Sequence, residues 1–286
     1  MRLNPFDTAN INVRGGGGGF PGGGAGGLGC GTIIIAALGY FVFGLDPMQT
    51  ASTVESIQQG RQSQPGSAPG SDDEQAVCTS GPFATEACNA LQSLNQTWAT
   101  TFQQQNFGER FQQPTLFLYS GGVRTACGSG SASMGPFYCP GDQTIYIDTS
   151  FYEQLERELG AGGDFARYYV IAHEYGHHIQ NLTGVLGQMQ SAQSQNPGAA
   201  NQLQVRVELQ AYCYAGVWAG KNRNLIQPGD IEEGMNAAAS IGDDKLTQGR
   251  VSSENFTHGT SAQRSQALRL GLEGDDSRCD AITNLG

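Results

Sequence analysis

Apolar residues are distributed unevenly along the 286-residue chain, and their spacing divides it into four stretches. Residues 1–27 carry glycine runs at 15–19 and 22–24 and few large apolar side chains, a composition expected to form a disordered Gly-rich tail. Residues 28–45 read LGCGTIIIAALGYFVFGL, with no charge. As a helix that run is about 27 Å long, near the lower limit for crossing a bilayer, so a transmembrane helix is expected there. Residues 46–75 are rich in Gln, Ser, Pro and Gly and read as a flexible linker. Residues 76–286 are long enough for one domain with its own core.

Within that domain the periodicity predicts a helix over 83–105 and strands at 115–119, 135–139 and 144–148, the last two joined by the turn Pro140-Gly141-Asp142. Ser150 and Glu153 form a capping box for a helix that Gly160 can end. A helix opened by Asp164 and closed by Gly184 follows, then a polar connector over 188–202. Further helices are expected over 205–219, from Asp230 to Ile241, and after Ser261. This is an α+β pattern, with a small antiparallel sheet ahead of a helical bundle.

Charge and cysteine content add a topology. The net charge is −11, and Lys occurs only at 221 and 245, which excludes a basic nucleic-acid footprint. Arg2 and Arg14 precede the apolar run, and no Lys or Arg follows it before Arg61. By the positive-inside rule the N-terminus is expected in the cytoplasm and the domain outside, held at the cell membrane by a single-pass helix. Cys78, Cys88, Cys127, Cys139, Cys213 and Cys279 all lie in that domain, and an exported domain with six cysteines is expected to form three disulfides. No Cys-x-x-Cys pair suggests a second zinc site. Of the fifteen connectivities the preferred one joins near neighbours, Cys78–Cys88 and Cys127–Cys139, leaving Cys213 for Cys279.

The candidate chemistry lies in the helix opened by Asp164. His173-Glu174-Tyr175-Gly176-His177 matches His-Glu-x-x-His, and three of the four histidines in the chain (His173, His177, His178) fall in this segment. Residues four apart on a helix share a face, so both imidazoles can ligate one tetrahedral Zn2+. Glu174 then sits beside the metal, where it can accept a proton from a zinc-activated water. No histidine follows at the metzincin spacing, since Gln180 and Thr183 stand there. The natural third ligand is a carboxylate on a later helix, and Glu208, set among Val207, Leu209 and Ala211, is the candidate. His258 is either a donor to a developing oxyanion or a loop histidine satisfying backbone groups. Tyr138 is a weaker candidate for the same role, and its strand is a candidate edge for pairing with an extended peptide.

Together HEYGHHIQNLTG, ELQAYCYAGVWA, IGDD, FTHGTSAQR and ACGSGSASMGPFYCPGDQTIYID resemble the bacterial family of neutral zinc metallopeptidases, predicted membrane-anchored metalloproteases. The resemblance extends over nearly the whole chain. It implies a zincin-like fold with His173, His177 and Glu208 as zinc ligands and Glu174 as catalytic base. It also implies a departure, because the family commonly has Asp four residues after the ligand Glu, where this chain has Tyr212. A tyrosine hydroxyl there can hydrogen-bond a ligand histidine without supplying charge, and Asp243 or Asp244 are the candidates for the missing carboxylate.

Two functions follow. One is a membrane-anchored zinc-dependent endopeptidase hydrolysing peptide bonds of extracytoplasmic polypeptides. The other is a catalytically weak or inactive zincin domain with a structural zinc that binds a cell-envelope partner. Retention of Glu174 favours the first, and Tyr212 in place of Asp favours the second.

Overall fold

The structure is a computed structural model that describes residues 1–17, 73–131, 135–152, 157, 163–248 and 250–284. Its sheet has the strand order β1 (Asn12–Gly17), β2 (Thr115–Ser120), β6 (Thr144–Asp148), β5 (Phe137–Cys139). Strands β1, β2 and β6 are mutually parallel, and β5 runs antiparallel to β6 on the edge. The sheet is therefore mixed, not the antiparallel one expected. Two features account for the difference. A hairpin of β3 (Gly122–Thr125) and β4 (Gly128–Ser131) intervenes after β2, so that together with β5 it returns the chain to enter β6 in the direction of β2. The first parallel strand comes from the N-terminal stretch.

That stretch is the principal correction to the expected organisation. Residues 1–17 are not a disordered tail: Met1, Ile11 and Val13 belong to the main core, and β1 pairs with β2 over six residues. Two of its glycines are required by close packing, since a Cβ on Gly15 would lie 2.8 Å from Val77 and one on Gly16 2.7 Å from Phe117. Gly15–Gly17, which read as disorder by composition, are here extended backbone over which neighbouring side chains fit. The expected crossing at 28–45 and most of the expected linker lie outside the described residues, although the linker's last residues enter α1 (Glu74–Cys78), which Asp73 caps. Among the described residues no helix is long and apolar enough to cross a membrane.

The helices then form as a bundle. After α1, α2 (Pro82–Gln104) opens with Pro at its first position and buries Leu91, Leu94, Trp98 and Phe102. The motif helix α3 (Asp164–Thr183) carries Asp164 in its first turn and ends at Gly184, whose φ of 82° is the left-handed stop expected there. The helix expected over 150–160 lies mostly outside the described residues. The polar connector is instead helical. α4 (Val185–Gln195) packs Met189 against Leu203 and Val207 of α5 (Ala200–Lys221), an apolar contact too narrow to read from a Gln-rich segment. α6 (Asp230–Ser240), the short α7 (Asp243–Leu246), α8 (Ser261–Gly271) and α9 (Ser277–Thr283) follow, with α8 opened by a Thr260–Gln263 capping box. The three disulfides are those preferred from spacing: Cys78–Cys88, Cys127–Cys139 and Cys213–Cys279.

Candidate metal centre

α3 and α5 meet where the sequence puts its most unusual residues. A Cβ on Gly176 would lie 2.8 Å from the Ala211 carbonyl oxygen and 2.9 Å from its Cα, so glycine is what lets the two backbones touch. This contact brings Glu208, one turn before Tyr212 on α5, over the imidazole pair of α3. His173 Nε2 lies 3.3 Å and His177 Nε2 3.5 Å from the same Glu208 Oε2. Ligands at about 2.0–2.1 Å from a tetrahedral zinc stand about 3.3–3.5 Å from one another, so the triad has the spacing of a zinc cage. The three ligand atoms lie within 4.8 Å of one another. His173, Glu174 and Glu208 are buried and His177 nearly so. The donor set and the spacing both fit Zn2+.

The outer atoms of these ligands are held to different degrees. His177 Nδ1 is 2.8 Å from Gln180 Oε1, and Gln180 in turn donates to the Val207 carbonyl and to Gln210. That bond places the His177 proton on Nδ1 and leaves Nε2 for the metal. Gln204, one turn before Glu208, donates to its second oxygen at 3.0 Å. His173 Nδ1 is buried and has no hydrogen-bond partner among the described residues. Tyr212 does not bond it, contrary to the expectation. The phenol ring stacks on the imidazole, with centroids 4.0 Å apart and planes at 19°, and this face-to-face arrangement directs the hydroxyl away to the buried guanidinium of Arg264. The guanidinium carbon of Arg264 also lies 4.3 Å from the Tyr212 ring centroid.

The electrostatics follow from burial and these contacts. Burial pulls His173 down to about 3 despite the neighbouring Glu208. Burial also acts to lower His177, but the Glu208 carboxylate outweighs it and raises this imidazole to about 9. Burial alone would raise Glu208; the facing His177 and His258 reverse that and hold it well below the ordinary carboxylate range. Glu174 is raised to about 7, chiefly by burial, although the Tyr138 backbone N–H donates to it. A carboxyl group with that pKa, next to the cage but not part of it, is suited to taking and returning a proton near neutral pH.

The remaining candidates are divided. His258 lies near enough to the cage for its charge to act on Glu208 and Glu174, but it contacts neither. Asp243 does not hold a ligand histidine. Its Oδ2 accepts the backbone N–H groups of Thr257, His258 and Gly259 at 2.9, 2.7 and 3.0 Å, and Oδ1 lies 3.6 Å from His258 Nδ1. Its role is to clamp the His258 loop. Asp244 bonds Ser261 at the start of α8 and accepts from neither ligand histidine, because it lies on the solvent side of a one-turn helix. The Tyr138 hydroxyl is engaged by His178 Nδ1 and Asn181, both at 3.0 Å, and His178 Nε2 reaches the Gln112 carbonyl. This network fastens edge strand β5 to α3. Sequence reasoning missed Gln180, Gln204 and Arg264. The first two were accessible as i+3 from His177 and i−4 from Glu208, but nothing local marks Arg264.

Two helices that converge two imidazoles and a carboxylate beside an uncoordinated glutamate form the arrangement that zinc-dependent hydrolases use. The chain belongs to the family described as "Putative neutral zinc metallopeptidase", which matches residues 5–282. YpfJ of Escherichia coli (strain K12), an uncharacterized protein, is 42% identical over 257 residues, 87% of this chain and 84% of that protein. The uncharacterized protein Rv2575 of Mycobacterium tuberculosis (strain H37Rv) is 43% identical over 190 residues, 60% of this chain and 64% of that protein. No solved structure gives a significant match.

Proposed function

We propose that this protein is a zinc-dependent endopeptidase that cleaves polypeptides outside the cytoplasm and is attached to the membrane through residues 28–45. The observation that carries the chemistry is the convergence of His173, His177 and Glu208 on one point with Glu174 buried beside it. His173, His177 and Glu208 would hold a zinc ion, which would supply a Lewis acid and an activated water. Glu174 takes the proton from the attacking water and delivers it to the leaving amine, for which a pKa near 7 is well placed. His258, oriented by Asp243, donates toward the oxygen of the carbonyl under attack. Strand β5, at the sheet edge among the described residues and next to Glu174, is suited to pairing with an extended substrate backbone. Three disulfides favour an oxidising compartment.

Glu174→Gln should retain zinc and lose about 10²–10⁴-fold in cleavage of an unfolded protein substrate, because the amide cannot accept the proton. Full activity in that variant would remove Glu174 as the base. A second reading, a zinc domain that binds a cell-envelope partner without cleaving it, is favoured by one observation, the unpartnered Nδ1 of His173. Absence of cleavage by the zinc-loaded parent protein would select it.

A further inference from the structure

The residues that precede the apolar run are built into the domain that follows it. The backbone N–H groups of Phe6 and Asp7 donate to Asn89 and Gln92 of α2, at 2.8 and 2.5 Å. Gln92 returns a hydrogen bond to the Pro5 carbonyl at 3.1 Å, and Asn95 donates to the Asn10 carbonyl at 3.0 Å. Gln92 and Asn95 are 6% and 2% exposed, so a buried polar face of α2 is satisfied in part by the N-terminal segment. Ile11 and Val13 enter the core, and β1 stays in register with β2 for six residue pairs. The Val13 N–H also reaches Glu74 at 3.2 Å, and Gly15 lies against Val77, so the segment contacts the first element beyond the run.

A chain that crossed a bilayer once at 28–45 would place residues 1–17 and the domain on opposite faces, about 30 Å of hydrocarbon apart. Paired strands lie about 4.8 Å apart. The two arrangements exclude each other in one molecule. We infer that residues 1–17 and the domain occupy the same compartment, which excludes a single crossing of a bilayer between them. Arg2 and Arg14, which ahead of an apolar run read as cytoplasmic markers, belong to a folded segment: the Arg2 N–H donates to the Leu225 carbonyl at 2.8 Å and Arg14 lies in β1. The positive-inside rule counts charges in short loops flanking a span, and these two are part of a folded domain. The inference is independent of the peptidase reading.

The test uses the full chain in a Cys30→Ser background, in which the other six cysteines are in disulfides. Ala9→Cys and Gln190→Cys, each at an exposed position, are introduced singly and treated with a membrane-impermeant maleimide before and after lysis of spheroplasts. Both sites should label under the same condition, both before lysis or both only after it. Labelling of one before lysis and the other only after it would overturn the inference. As an independent measurement, Val13→Asp in the purified full chain should lower the thermal midpoint by about 5–10 °C, as expected for a charge placed in the core of a domain this size. An unchanged midpoint would show that residues 1–17 are not part of the domain and would also overturn it.

Discussion

His173 and His177 are one helical turn apart, yet the protein holds their outer nitrogens by different means. His177 is locked by Gln180, whereas His173 is held by the face of Tyr212 with its Nδ1 unbonded. Glu208→Ala should therefore lower zinc affinity by more than about 100-fold, beyond the 10–100-fold typical of losing an outer partner, while Tyr212→Phe, which preserves the stack, should change it little. Competition with a chromogenic chelator measures both, and equal affinities in parent and Glu208→Ala would place the third ligand elsewhere. Tyr212→Asp offers His173 Nδ1 an acceptor and Arg264 a counter-charge. It should raise zinc affinity about 10-fold while lowering the midpoint of the metal-free protein, since the lost ring leaves a void beside Tyr169. Unchanged affinity in that variant would show that stacking orients His173 as well as a carboxylate does. At this scale the convergence of the three candidate ligands was legible, because a metal would dictate their types and spacing. The stack was not, because ring orientation depends on Arg264, fifty-two residues away.

At the scale of elements, the site exists because α3 and α5 cross at Gly176. Replacing that glycine by alanine gains about 1 kcal/mol of helix propensity but drives a Cβ into the Ala211 backbone, which cannot rotate away. Overpacking of this kind costs about 1–3 kcal/mol, more when backbone must move, so Gly176→Ala should destabilise the fold and weaken zinc binding together by separating Glu208 from the imidazoles. A denaturant midpoint at or above the parent's would show that the crossing has slack. Elements with strong periodicity or clear caps, such as α2, α3 and α5, were readable in the sequence. Those that were not are thinly apolar: α4 buries Met189 alone, and the β3–β4 hairpin is mostly Gly and Ser.

Across the whole molecule, Cys213–Cys279 ties the ligand helix α5 to the last helix, α9, closing a 66-residue separation. On chain-entropy grounds its removal should cost about 4 kcal/mol, against about 3 kcal/mol for Cys78–Cys88 with its separation of ten residues. Urea unfolding of the Cys213→Ser/Cys279→Ser and Cys78→Ser/Cys88→Ser pairs tests that order. The reverse order would mean that native-state contacts outweigh loop length. Domain limits were only partly legible at this scale. Residues 76–286 read as one unit, but the N-terminal strand that completes it is separated from the rest by an apolar run and a polar stretch, and nothing local links the two.

The sequence by itself determined the cysteine pairs and the family and picked out the candidate metal ligands and base, because each is set by residue type at short or characteristic spacing. Only the tertiary structure decided that the sheet is mixed, that Tyr212 stacks and does not bond, that Asp243 serves His258, and that residues 1–17 belong to the domain. The physical reason is the same in each case. A hydrogen-bond partner, a stacking face or a parallel neighbour strand can come from any point in the chain, and composition records what a segment contains but not what lies against it.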